Sequence, residues 1–533
     1  MENPTPEQHQ HGSSTAAPKP NMSRRRLLAA ALTATAGQRS VGGQLVPDAS
    51  LSKTTLLHYI GLVELAERLR KRELSPVEVT NAQLARIAAL EPKLMAFDTI
   101  TTDRAIAQAK VAETEIKAGR YLGPLHGIPI AIKDLFFTAG ISTKGGLKVF
   151  ANHVPTYDAT ALARLLKAGA VLLGKLSLAE GAGGGYHRDF RVPRNPWAAN
   201  RWPGVSSSGS GVATAAGLCF ASLATDTGGS IRQPSAANGV VGLKPTWGRV
   251  SRHGTLDFAP SLDHAGPMAR RVADVAAVLS IIAGYDPADP TSLSSPVPDY
   301  LAEIYRGVKG VRVGFDEAYA TAGIAPHMAE AVRQALRILE TLGARVVPMR
   351  MPALEVKHFQ AWFVLASSEA AAVHEATFPS RADDYGAGFR DFLEGGRKFT
   401  GRDYARANFV REDLRGRIRE AFGGIDVLVC PTMMAEAFVY DPDKAYAGPV
   451  RSASGPPEMI DGVPFSFVAV SGRFTTPYSL TGYPTLSLPC GQSPDGMPLS
   501  LQFVGHPLSE ALLCRVGHAY ERATEWHRRH PPV

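Results

Sequence analysis

The chain is poor in cysteine: Cys219, Cys430, Cys490 and Cys514 are the only four in 533 residues, and they stand far apart. No Cys-x-x-Cys pair and no Cys/His ligand spacing occurs, which excludes a zinc ribbon, while a disulfide formed after export is left open. Each cysteine therefore reads as a small buried apolar side chain. The 15 histidines are scattered; His126 and His187 are expected to serve as ordinary hydrogen-bonding groups. There is no metal-ligating cluster, no phosphate loop and no other cofactor signature, so neither a metal nor a cofactor is expected. Past residue 36 no apolar run reaches the ~20 residues that a membrane span needs, so no stable membrane insertion is expected. The formal net charge of +8 is small for the length, and the longest basic runs, Arg24–Arg26 and Arg70–Arg72, are only three residues. Without a basic face interleaved with aromatics, nucleic acid is not an expected partner.

The N-terminus supplies the first of these runs with a context. Ser23, Arg24, Arg25, Arg26, Leu27 and Leu28 open a short apolar stretch that closes on Ala34-Thr35-Ala36. That order of arginine pair, apolar run and small-residue cleavage site reads as a twin-arginine signal peptide over residues 1–36, with a linker over 37–53. It predicts a periplasmic or secreted protein; without it the expectation is cytoplasmic.

From residue 54 to 533 no Pro/Gly/Ser-rich linker interrupts the chain, and 45% of its residues are hydrophobic. A single large domain is expected there, although the length alone would suggest several. Ser75, Pro76 and Glu78 form a capping-box pattern with proline at the first helical position, predicting a helix to about Leu90. Val311–Phe315 reads as a strand, Met328–Leu342 as a helix stopped by Gly343, and Ala344–Val347 as the next strand. This βαβ unit predicts an α/β fold, a mixed sheet covered by helices on both faces. Val212–Ala224 reads as one packed apolar helix, and residues 353–425 as mostly helical.

The chemistry concentrates in two stretches, GIPIAIKD at 127–134 and GVSSSGSG…TDTGGSIRQPS at 204–235. Lys133 ends the apolar run Ile128-Pro129-Ile130-Ala131-Ile132, which reads as a buried strand. A strand-end lysine ordinarily reaches water with its amine. Buried, it loses its proton more easily and can act as a base, provided its pKa falls by roughly 3 units, about 4 kcal/mol. A serine hydroxyl needs such a base to become a nucleophile. Gly228 and Gly229 precede Ser230, and a glycine turn can aim successive amides at one point, as an oxyanion requires. Asp226 and Arg232 flank the turn and are expected to pair across it.

These residues resemble the amidase signature family of serine hydrolases. The long glycine/serine motif matches from Gly204 to Ser235, including Asp226, Gly228, Ser230, Ile231, Arg232 and Pro234, and the resemblance extends over about residues 54–525. It implies the amidase signature fold, with Ser230 as nucleophile, Ser206 as bridging serine and Lys133 as general base. It further implies a cis bond between Val205 and Ser206, a supporting Ser207, and an oxyanion hole made by the amides of Thr227, Gly228, Gly229 and Ser230. Val205 departs from the glycine found in many relatives. The implied activity is hydrolysis of a small carboxamide, aryl amide or peptide amide, with no cofactor and with a homodimer left open. Two alternatives share the scaffold: one component of a tRNA-dependent amidotransferase, and a catalytically silent binding protein. By resemblance, residues 353–425 and 433–470 shape the substrate pocket.

Overall fold

The computed structural model describes residues 57–183, 185–447, 459–460, 463–464 and 472–533. The expected signal peptide at 1–36 and linker at 37–53 lie outside the described residues, as does most of 448–471. The first long helix, Pro76–Leu94, begins as expected. Ser75 Oγ accepts the amides of Val77 and Glu78, the Glu78 carboxylate accepts the Ser75 amide, and Pro76 needs no partner. Such a cap stabilises a helix by about 1 kcal/mol. The helix runs past Leu90 to Leu94 and stops at Met95, whose φ of 53° is left-handed.

The strands, in chain order, are β1 (Phe97–Ile100), β2 (Pro129–Lys133), β3 (Val171–Leu176), β4 (Ala221–Asp226), β5 (Val241–Lys244) and β6 (His264–Ala269), then β7 (Arg312–Phe315), β8 (Arg345–Pro348) and β9 (Val427–Pro431). A small hairpin, β10 (Met459–Ile460) and β11 (Val463–Pro464), precedes β12 (Thr485–Gln492) and β13 (Pro498–Gly505). Eleven of them form one sheet in the order β1-β3-β2-β4-β6-β5-β12-β13-β9-β7-β8. It is mixed: β3, β2 and β4 run parallel, as do β9, β7 and β8, while the strands between them pair antiparallel.

Side chains alternate across a strand, so a sheet buried on both faces feeds two cores. In β2, Ile130 and Ile132 enter the largest apolar cluster, with Leu165 of the helix Thr160–Lys167 and Val275 of the helix Val272–Ile282. Ala131 points to the other face, with Ile87 and Ala213. In β9, Val427 and Val429 join the first cluster, while Leu428 and Cys430 join a third with Leu365, Leu393 and Leu414. Each fully buried Leu or Ile contributes about 1.5–3 kcal/mol, so this two-sided burial is what holds the sheet between its helices. The expected strands near 311–315 and 344–347 are β7 and β8, and the helix between them is Pro326–Thr341.

One expectation fails. Val212–Ala224 is not a single helix. A helix covers Ser208–Ala215, Gly217 turns at φ +67°, and Ala221–Asp226 is β4, hydrogen-bonded to β2. Every residue of both elements is buried, so the run has no exposed face and carries no period that separates helix from strand.

Candidate active site

β2 and β4 lie side by side and parallel, with Ile132 opposite Leu223. This register brings Lys133, the last residue of β2, beside Thr225 near the end of β4. The Lys133 amine is fully buried and donates to Ser206 Oγ and to Thr225 Oγ1, each at 2.8 Å. Burial lowers its pKa from 10.5 to about 7, against the pull of the Asp263 and Asp226 carboxylates, which favour the charged form. Lys133 can therefore exist as a neutral amine near neutral pH, with its lone pair facing hydroxyl groups.

Ser206 follows a cis peptide bond from Val205. Its carbonyl accepts the Ala179 amide at 3.1 Å, and the Gly209 amide donates to the Ser177 carbonyl at 2.9 Å. These two bonds tie the start of the helix Ser208–Ala215 to the end of β3. Ser207 Oγ donates to the Thr225 carbonyl at 3.1 Å, so it braces the strand that carries the lysine's second partner.

Residues 227–230 turn from β4 into the helix Arg232–Asn238. Asp226 and Arg232, both fully buried, form a two-pronged pair at 3.0 Å for each bond. Asp226 also accepts the amides of Gly229 (2.8 Å) and Ile231 (3.1 Å) and the Ser479 hydroxyl (2.9 Å). Burial alone would raise the Asp226 pKa; the Arg232 guanidinium outweighs it and holds the carboxyl below its usual range. Gly229 sits at φ +146°, and a Cβ there would fall 2.6 Å from Gln233 Nε2 and 2.7 Å from Thr475 Oγ1, so glycine is required on both counts.

Of the four amides expected to bind an oxyanion, the Gly229 amide is thus committed to Asp226. A carboxylate held at its side is a stronger acceptor than a transient charge across the loop. Among the described residues, the amides of Thr227, Gly228 and Ser230 meet no acceptor. Ser230 is partly buried at the end of the turn, and among the described residues no hydrogen bond joins its Oγ to Ser206. The Lys133–Ser206 contact is formed and the Ser206–Ser230 contact is not; catalytic contacts often tighten only when substrate arrives.

Four residues near this group carry no signal in the sequence pattern used to find the rest. Thr225 is a polar residue in a fully buried strand, a combination that could have marked it. Asp263 accepts the Thr227 hydroxyl and the amides of Phe258 (2.8 Å) and Ala259 (2.9 Å). Burial, then the nearby Asp257, raises its pKa to about 6. Trp362 and Thr475 bond the Thr227 and Gly228 carbonyls from distant parts of the chain. His126 Nδ1 accepts the Leu122 amide at 3.1 Å and His187 accepts the Asp189 amide at 3.1 Å, so both are engaged in hydrogen bonds, apart from the lysine and serines. All four cysteines are buried and unpaired. Among the described residues no group of three His, Cys, Asp or Glu could hold a metal ion, and no helix is long and apolar enough to cross a membrane.

The chain is similar to several known proteins. The chain is 39% identical over 472 residues to AmiD of Mycobacterium tuberculosis, covering 89% of this chain and 96% of that one. It is 41% identical over 508 residues to one of the subunits of the glutamyl-tRNA(Gln) amidotransferase of Roseiflexus sp., covering 90% of this chain and 99% of that one. The solved structure of the peptide amidase from Stenotrophomonas maltophilia superposes with a TM-score of 0.74 at 33% identity, over 89% of this chain and 98% of the other. Residues 78–514 match the Amidase family. The chain belongs to that family and is a hydrolase acting on amide C–N bonds.

Proposed function

We propose that the chain hydrolyses a small carboxamide, aryl amide or peptide amide through an acyl-enzyme on Ser230. In this reading Ser230 passes its proton to Ser206, which passes its own to neutral Lys133, and Ser230 Oγ bonds the carbonyl carbon. The oxyanion is met by the amides of Thr227, Gly228 and Ser230. The C–N bond then breaks, and the proton returns through Ser206 to the leaving nitrogen. Water repeats the sequence to release the acid. The observation that carries this reading is the buried Lys133 amine, 2.8 Å from Ser206 and with a pKa of about 7. A base works best when its pKa lies near the working pH.

Incubation with a fluorophosphonate probe, followed by mass-spectrometric mapping, tests it. A stoichiometric adduct on Ser230 that disappears in Ser230→Ala supports the nucleophile; an adduct elsewhere, or turnover retained in Ser230→Ala, refutes it.

A second reading rests on the 41% identity to an amidotransferase component. In that reading the same site releases ammonia for a partner protein. Co-purification with such a partner, and glutamine hydrolysis that depends on it, would favour it over a free amidase. Export through the Arg24-Arg25-Arg26 signal belongs to the first reading and would separate the chain from cytosolic tRNA. Fractionation of cells expressing the full chain tests this, and retention in the cytoplasm refutes export.

A further inference from the structure

The turn that would hold the oxyanion is anchored by side chains that neither donate to substrate nor carry the proton. The Trp362 indole Nε1–H, from the helix Val356–Val373, donates to the Thr227 carbonyl at 2.9 Å. Thr475 Oγ1 donates to the Gly228 carbonyl at 2.7 Å and accepts from Gln233 Nε2 at 3.2 Å. The peptide unit is planar and trans, so fixing a carbonyl fixes the next amide, which points the opposite way. Anchoring the Thr227 carbonyl therefore sets the direction of the Gly228 amide. Anchoring the Gly228 carbonyl sets the Gly229 amide, which Asp226 holds from the other side at 2.8 Å. The plane between Gly228 and Gly229 is gripped at both ends, and the plane before it is gripped by the indole.

Packing enforces the same arrangement. A Cβ on Gly228 would lie 2.8 Å from Trp362 Cζ2, so the ring lies directly on the backbone. Trp362 is only 7% exposed, which leaves the indole little room to swing away.

We propose that Trp362 is a positioning residue that aims the Gly228 amide at the developing oxyanion, with Thr475 locking the adjacent peptide plane. The proposal rests on the reading of Ser230 as nucleophile. A donor aimed at charge that develops only in the transition state changes the maximal rate and leaves ground-state binding alone. That separates positioning from a purely structural role.

The test uses the full chain and a fluorophosphonate probe. In the labelling step the Ser230 Oγ–P bond forms, the P–F bond breaks and fluoride leaves, with the serine proton passing to Lys133. The phosphoryl oxygen gains charge as it does so. Trp362→Phe keeps an aromatic ring on Gly228 and removes the donor. Thr475→Val keeps the shape and removes the hydroxyl, and Thr475→Ser restores the hydroxyl. The maximal labelling rate is expected to fall about 10- to 100-fold in Trp362→Phe and Thr475→Val, with the half-saturating probe concentration unchanged, and to recover in Thr475→Ser. Melting temperatures measured on the same samples establish that each variant is folded. A folded Trp362→Phe chain that labels within about twofold of the wild-type rate overturns the assignment alone. A wild-type chain that takes no label refutes the nucleophile reading and the assignment with it.

Discussion

Lys133→Met should separate what the buried lysine does for catalysis from what it costs the fold. Its pKa falls from 10.5 to about 7 on burial. At about 1.4 kcal/mol for each pH unit, that drop corresponds to about 5 kcal/mol. The sign follows from proton counting. Between about pH 7 and 10.5 the unfolded lysine holds a proton that the folded one has released. Stability therefore rises with pH across that window. The cost is complete below about pH 7 and gone above 10.5. Methionine has no such dependence. It also leaves Ser206 and Thr225 without the amine, a loss that does not vary with pH. Denaturant midpoints for both proteins, from about pH 6 to about pH 10, should show wild type gaining on the variant by about 1.4 kcal/mol per pH unit above about pH 7. The difference should be flat below that. Fluorophosphonate labelling of wild type should climb through the same midpoint at about pH 7, because the neutral amine is the active form. In the variant it should fall by about 10²–10⁴-fold. A stability difference that is constant over the whole range would refute a depressed Lys133.

Two further substitutions probe the frame around it. Asp226→Asn leaves the fully buried Arg232 guanidinium without its carboxylate and should destabilise by about 3–5 kcal/mol, measured by denaturation; a loss under about 1 kcal/mol would contradict the ion pair's burial. Gly209→Ala would place a Cβ 2.4 Å from the Ala96 carbonyl oxygen and 2.5 Å from that of Ser177. Because both neighbours are backbone, the helix that follows Ser206 must shift. The melting temperature should drop by an amount equivalent to about 1–3 kcal/mol, together with the labelling rate. An unchanged melting temperature would refute this packing.

The parts of the site that are legible in the sequence are those whose residue types are rare in their setting. A lysine closing the run Ile128–Ile132 is costly to bury, and glycines beside Ser230 point to an unusual turn. Capping residues mark the start of the helix at Pro76, and regular periods mark the βαβ unit at 312–348. Val212–Ala224 misleads because a mostly apolar run with no exposed face fits a buried strand as well as a buried helix. Trp362 and Thr475 are invisible for another reason. They meet the turn across 135 and 247 residues of chain, and local pattern carries no information at that range. The commitment of the Gly229 amide to Asp226 is equally hidden, because it depends on which acceptor lies nearer in space.

The poise of Lys133 is a balance rather than a property of burial alone. Two carboxylates, Asp263 and Asp226, favour its charged form, against the desolvation that lowers its pKa. Neither is unopposed. Asp226 is matched by Arg232 at 3.0 Å and surrounded by donors from Gly229, Ile231 and Ser479. Asp263 spends its oxygens on Thr227, Phe258 and Ala259, and burial together with Asp257 raises its own pKa to about 6. With both carboxylates engaged, desolvation prevails at the lysine. The carboxylate that shapes the oxyanion turn is therefore also one of the two charges felt by the base. Asp226 thus stands in both arrangements: it accepts the Gly229 and Ile231 amides of the turn, and its charge acts on the amine.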